Sequence, residues 1–367
     1  MKNSFPLRLL SGLNGPQTLG NSRAFWTCWI IVAAAFALLP AFASRYQVLT
    51  ASNFMISAIL ALSLCLIWGY AGILSLGQAA FFGIGGYAYG VAGINLIGIT
   101  GESLAAVLAG ALAPAILAAV VGGLMFYSRL KSDYVAILML VVSLLLGLFM
   151  RQTADPGYAI GGAHLGGMNG LGPVSADFPG IPGLTVGWGE NVVEFDGRSA
   201  SFYWVALGCL IAVYLGLRWL VNSSFGYLLA AVREDERRTE TFGYDVRKIK
   251  LAAFCLSAAI AGFAGALYTA WGTYIHPDGF GVGPNILVVI WVAVGGRKDL
   301  TSVVLSTVLL SWISIELSSW GEISMLVLGF ILVGAMLVAP EGVFATLGER
   351  IGRLTARSGS AQGEAAR

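Results

Sequence analysis

The chain has 367 residues, 57% of them hydrophobic and only 11% charged, with a formal net charge of +2. A soluble domain carries about 25% charged residues, so a water-soluble globule is excluded, and no basic-aromatic patch points to nucleic acid. Cys28, Cys65, Cys209 and Cys255 sit singly in apolar runs with no CxxC spacing, which excludes a disulfide framework, and the isolated His164 and His276 argue against a metal centre.

Charge is missing from Tyr46 to Gly101, from Ser103 to Ser128, from Leu251 to Pro277 and from Ile323 to Pro340. A span needs about 20 apolar residues to cross roughly 30 Å of hydrocarbon, and in lipid each backbone polar group must be paired within the chain, which makes such runs helices. The expected spans are 25–43, 53–70, 73–97, 103–127, 134–150, 202–220, 251–272, 283–296, 301–319 and 323–340. The chain therefore reads as an all-α polytopic membrane protein of about ten spans, with eight as the lower count. The segment 283–296 is short, and reads as tilted, broken or re-entrant. Lys2, Arg8 and Arg23 precede the first span, and Ala41-Phe42-Ala43 resembles a signal-peptidase site; the first span is nevertheless expected to be retained.

Lys and Arg concentrate on one side. Residues 1–24, the loop 128–133, the loop 221–250, the turn 297–299 and the tail 346–367 carry most of them. All these segments, with both termini, are expected in the cytoplasm. The domain plan is an N-terminal segment 1–24, a permease domain 25–345 and a disordered tail 346–367. The connection 151–201, rich in Gly and acidic residues, falls outside the cell, as a docking site for a soluble partner or as a loose surface loop.

Three segments are candidates for mechanism. In Trp68 to Tyr87, glycines at 69, 72, 77, 83, 85 and 86 permit close helix contact or an unwound turn. Ser75, Gln78 and Tyr87 are candidate path residues there, Gln78 being either pathway or an amide joining helices. In 221–250, Phe225, Leu228, Leu229 and Val232 form one helical stripe. Glu234 and Arg238 are spaced as an i,i+4 pair, and Gly243 can end the helix. This reads as a cytoplasmic amphipathic helix, either interfacial or a docking surface, with Phe225, Gly226, Leu229, Arg233, Glu236, Arg238 and Gly243 as candidate contacts. In Asn285 to Arg297, Asn285 and Trp291 punctuate a pore-lining half-helix or an anchored helix end.

No GxxxxGK[ST], HExxH or GxSxG motif occurs. The chain reads as neither an ATPase nor an enzyme, and no cofactor is expected. It has a path and no evident energy source of its own.

At these residues the sequence resembles the inner-membrane permease subunits of bacterial ABC importers for branched-chain amino acids and urea. The family pattern G-x-x-G-x-x-S-x-G-[HQ]-x-x-F matches from Gly69. The pattern F-G-x-x-L-x-A-[IV]-R-x-x-E matches Phe225 to Glu236, and a late G-G-R matches at Gly295 to Arg297. Gln78, the Glu236-x-Arg238-Thr239 stretch and Ile290 to Arg297 are more similar to the urea type. No Arg or Lys is evident inside the spans to pair with an amino-acid carboxylate. The resemblance implies a path for urea or a short amide, with branched-chain amino acids as the alternative and a self-sufficient channel or carrier as a further one. It also implies a second homologous permease, two cytoplasmic ATPases docked after Phe225-Gly226, and a periplasmic binding protein.

Overall fold

The computed structural model describes residues 12–334, except 131, 156, 173–179, 189–190, 198, 319–320, 322, 324–325, 328 and 331–333. The expected tail and most of the expected span 323–340 lie outside the described residues, as do the first residues of the N-terminal segment.

Helix α1 (Arg23–Phe42) and α2 (Arg45–Leu64) meet at an extended corner. Ser44 and Gln47 cap α2 reciprocally, the Ser44 N–H donating to Gln47 Oε1 at 2.9 Å. α2 does not stop at Leu64: it widens into a π-helical turn, Cys65–Tyr70. Then come α3 (Gln78–Thr100), α4 (Leu104–Tyr127), α5 (Ser132–Arg151) and α6 (Ala200–Val221). Two short helices, α7 (Ser224–Glu234) and α8 (Glu236–Thr241), precede the long α9 (Val246–Gly272). The short α10 (Val282–Gly295) and α11 (Leu300–Ser318) follow. Among the described residues, eight helices are long and apolar enough to cross a membrane, and α10 is the shorter apolar one.

The bundle has a basic end and a hairpin end. The basic end holds Arg129 beside Glu240 at 3.9 Å, Arg247 over the Tyr127 ring, and the turn at Arg297-Lys298. The opposite end holds the connection 151–201, whose described residues include a 3₁₀ turn at Gly167–Asn169. It forms two antiparallel hairpins, β1 (Ala159–Ile160) with β2 (Ala163–His164) and β3 (Leu184–Trp188) with β4 (Asn191–Phe195). The Asn95 amide holds the first hairpin at Ile160 O and Gly162 N, each at 2.8 Å, and the Ser103 hydroxyl holds the second at Thr185. The all-α reading thus stands for the membrane bundle, with small β elements outside it.

The core packs by close backbone approach, because helices in lipid gain little from apolar burial against each other. α3, α4 and α9 meet on small residues. A Cβ on Gly85 would fall 2.2 Å from Gly262 O, and one on Gly265 would fall 1.9 Å from Phe82 O. The glycines of the 68–87 stretch therefore serve mainly as contact points.

Candidate translocation path and docking surface

The expected helix from residue 73 begins only at Gln78. Between the π turn and α3, residues 71–77 are unwound, with Gly72 at φ +74°. Ser75 lies in this stretch, buried, and its Oγ accepts from the Gly77 N–H at 3.4 Å. The stretch carries the chain back into the bundle, so α3 starts inside it. Gln78 is 1% exposed, and its Nε2 donates to Ser257 Oγ at 2.6 Å and Ser63 Oγ at 3.0 Å. Ser257 lies about 16 Å along α9 from Val246 at the helical rise.

α10 also starts inside. Asn285 Oδ1 accepts from the Ala79 N–H at 3.0 Å, and its Nδ2 donates to Ser143 Oγ at 2.9 Å and Gly281 O at 2.9 Å. Ser143 is about 12 Å from the hairpin end of α5. One polar node thus joins α2, α3, α5, α9 and α10 near mid-bundle. The Gln78 and Asn285 amide nitrogens are committed to pairing, which makes both residues joints between helices. The expected segment 283–296 is helical, as the short apolar α10. The chain descends through the 3₁₀ turn Pro277–Phe280 and emerges at Arg297, where Tyr70 donates to Lys298 O at 3.0 Å.

Some buried polar atoms stay unpaired within the chain: Gln78 Oε1, the Tyr87 hydroxyl, Thr269 Oγ1 and Trp291 Nε1. An unpaired buried group is costly and calls for a reason. Tyr87 stacks on Phe280 with ring centroids 6.0 Å apart. Thr269 was not legible in the sequence. It touches the path segment because a Cβ on Gly86 would fall 2.5 Å from its Oγ1. The main-chain carbonyl of Trp291 accepts from Ser306 at 2.7 Å, which ties α10 to α11. Gln78 and Asn285 thus meet at one node, with Ser75 in the unwound stretch just before Gln78, whereas Tyr87 lies about two and a half turns further along α3 and Trp291 almost two turns further along α10.

At the basic end the expected single amphipathic helix is two. Asp235 is extended, at φ −156° and ψ 104°, and caps α8 by accepting from the Arg238 N–H at 3.0 Å. The helix breaks because an Asp side chain competes for backbone donors and favours a cap. The expected Glu234–Arg238 pair is replaced by Arg238 with Asp235 at 3.8 Å. Leu229 and Gly226 are buried, Phe225 is half-buried, and Gly243 ends the segment at φ +87°. Arg233 turns inward and donates to the Gly69 carbonyl. Glu236 pairs with Lys250, which is buried because α9 starts at Val246, capped by Asp245, rather than at the expected 251. Between the α7–α8 corner and Ala71-Gly72 opens a cleft of about 370 Å³.

The expectation of no cation inside the spans fails at Arg218, which is buried in the last turn of α6. Its single charge within an aromatic-rich run, between Tyr214 and Trp219, was the available signal. Its donors are taken by backbone carbonyls and a tyrosine, so it offers nothing to a substrate.

A family model described as the permease component of branched-chain amino acid transport systems matches residues 46–336. The chain belongs to this permease family. The chain is similar to the high-affinity branched-chain amino acid transport system permease protein LivM of Escherichia coli (strain K12), 28% identical over 379 residues covering 99% of this chain and 83% of that protein. The LivM permease of Salmonella typhimurium is 29% identical over the same shares. These family members are named for branched-chain amino acids, and the urea-type reading finds no support in them. No solved structure matches the chain significantly.

Proposed function

We propose that this permease is the path-forming subunit of an ATP-driven importer for branched-chain amino acids in a bacterial inner membrane. The basic end faces the cytoplasm, in keeping with the positive-inside rule. Separate ATPases dock on α7 and α8, a second permease completes the path, and a periplasmic binding protein delivers substrate at the hairpin end. The observation that carries this reading is the contact from Arg233 on α7 to Gly69, at the end of the helix whose unwound continuation leads to Gln78. A push on α7 is thereby transmitted to the segment from which α3 starts.

The substrate class rests on the LivM relatives. The lack of an available cation in the path among the described residues does not oppose it. Helices that begin inside a bundle present backbone N–H groups and the positive end of a dipole, which suit a carboxylate. α10 begins in this way, and α3 also starts inside the bundle, although its Ala79 N–H is taken by Asn285.

The test is reconstitution of the whole assembly with leucine-loaded and urea-loaded binding proteins. Leucine should stimulate ATP turnover and uptake, and urea should not. Stimulation by urea alone would overturn the substrate, and solute flux by the purified chain without ATP or partners would overturn the ATP-driven role.

A further inference from the structure

Residues 12–22 fold over the basic end of α6 and around one buried charge. Arg218, 1% exposed, donates from Nε to Leu13 O at 2.7 Å, and from Nη2 to Leu19 O and Gly20 O, each at 3.1 Å. Its Nη1 donates to the Tyr214 hydroxyl at 3.0 Å. The guanidinium carbon lies 4.9 Å from the Phe25 ring centroid and 5.0 Å from that of Trp26. Asn222, one turn on, donates to Thr18 Oγ1 at 3.1 Å. Gly15 seats so closely that a Cβ there would fall 2.3 Å from Asn222 Oδ1.

The same segment reaches two further elements. The Tyr70 hydroxyl, at the end of the π turn, lies 3.3 Å from Gln17 O and 3.0 Å from Lys298 O in the α10–α11 turn. Cys65 of the π turn contacts Arg297 O at 3.3 Å. The Tyr214 hydroxyl that receives Arg218 also meets Thr301 of α11 at 2.7 Å. Residues 12–22 therefore bridge α6 and the end of α2, while Tyr70 and Tyr214 in turn grip the α10–α11 turn and the start of α11. The π turn they touch is also the one held from the other side by Arg233.

The chemistry of the seat suits release. A buried guanidinium held by a carboxylate strands two charges when the pair separates. Here the strap contributes neutral carbonyls, which water replaces readily. Arg218 is in the last turn of its helix, where a long cationic side chain can reach the membrane surface. The family match begins at residue 46, so this strap lies outside it.

We propose that residues 12–22 are a latch on the basic end of the path: seated on Arg218 and Tyr70 they hold α6 to the end of α2, beside the α10–α11 turn that Tyr70 also grips, and they must unseat for that end to open. The inference rests on the importer reading, in which the basic end opens once per cycle.

The test uses the full assembly, with the four native cysteines replaced and Gln17→Cys and Lys298→Cys introduced. A short, cleavable bis-methanethiosulfonate reagent then joins the pair. Leucine uptake should fall at least about tenfold on cross-linking, as expected when a required minor state is withheld, and should return on reduction. Unchanged uptake in the cross-linked assembly would overturn the latch. So would a cross-linking yield no higher than that of a control pair, Gln17→Cys with Thr100→Cys at the opposite end. A second arm needs no transport: Tyr70→Phe should raise the rate of maleimide labelling at residue 17 severalfold, and an unchanged rate would overturn the seat. If the uncross-linked assembly moves no leucine, the importer reading fails, while the labelling and cross-linking arms still decide where the strap sits.

Discussion

The Arg233 guanidinium donates to the main-chain carbonyl of Gly69, across a separation of 164 residues. Gly69 has no room for a side chain, since a Cβ would fall 1.7 Å from Arg297 O, and Gly72 packs against the Arg233 stem. Arg233 thus joins α7 to the point where α2 gives way to the unwound stretch.

This geometry separates docking from transmission. A hydrogen bond from a charged group contributes about 1.5–3 kcal/mol, so Arg233→Ala should lower substrate-stimulated ATP turnover by about tenfold or more. Co-purification of the ATPase should change little, because Arg233 faces inward. A parallel loss of co-purification would place Arg233 in the docking surface itself.

The polar node makes a stability prediction. Asn285→Ala removes the acceptor of the buried Ala79 N–H. A stranded buried donor costs about 1–3 kcal/mol. Thermal unfolding in detergent should therefore shift clearly downward. Gln78→Ala should cost less, because Ser257 keeps its own bond to Ser63 O at 2.7 Å. Equal shifts in the two variants would contradict this ranking.

Glycine contacts give a paired test. Gly265→Ala forces a Cβ against the Phe82 carbonyl, and overpacking of this kind costs about 1–3 kcal/mol or more when backbone must yield. Gly123→Ala, with nothing within 4 Å, should be neutral or slightly stabilising through helix propensity. Folded yield after extraction distinguishes them.

Asp299 gives a pH prediction. It is 5% exposed, with Oδ1 unpaired and Oδ2 accepting from the Ser302 N–H at 2.9 Å. Burial raises its pKa, against the downward pull of the Ser302 hydrogen bonds and of Arg218. A carboxyl whose folded pKa exceeds its unfolded value destabilises the fold as pH rises from about 4 through the folded pKa. Asp299→Asn keeps a good helix cap. It should be at least as stable as the parent at neutral pH and should flatten the pH dependence, measured by thermal unfolding. A variant less stable at neutral pH would show that the ionised carboxylate is required.

Much of the bundle was legible because bilayer thickness imposes itself on composition. Charge-free runs had to become spans, and the short segment before Arg297 had to cross for the basic loops to share a side. The departures occur where a local pattern competes with a partner far along the chain. The stripe from Phe225 to Val232 carries no mark of the corner at Asp235, because a cap and a continued helix differ by a few local hydrogen bonds. The late start of α3 depends on Asn285 and Ser257, which hold Gln78 and Ala79 from other helices.

The sequence by itself determined a membrane bundle, its basic side and the candidate segments for mechanism, since hydrophobic length and charge placement are properties of the chain read in order. Only the tertiary structure decided that Gln78 and Asn285 are joints, that Arg233 reaches Gly69, and that Arg218 is enclosed by residues 12–22. Such roles depend on which groups meet inside a medium without water, where a polar atom must find a protein partner. The carbonyl that completes Arg218 lies 205 positions away.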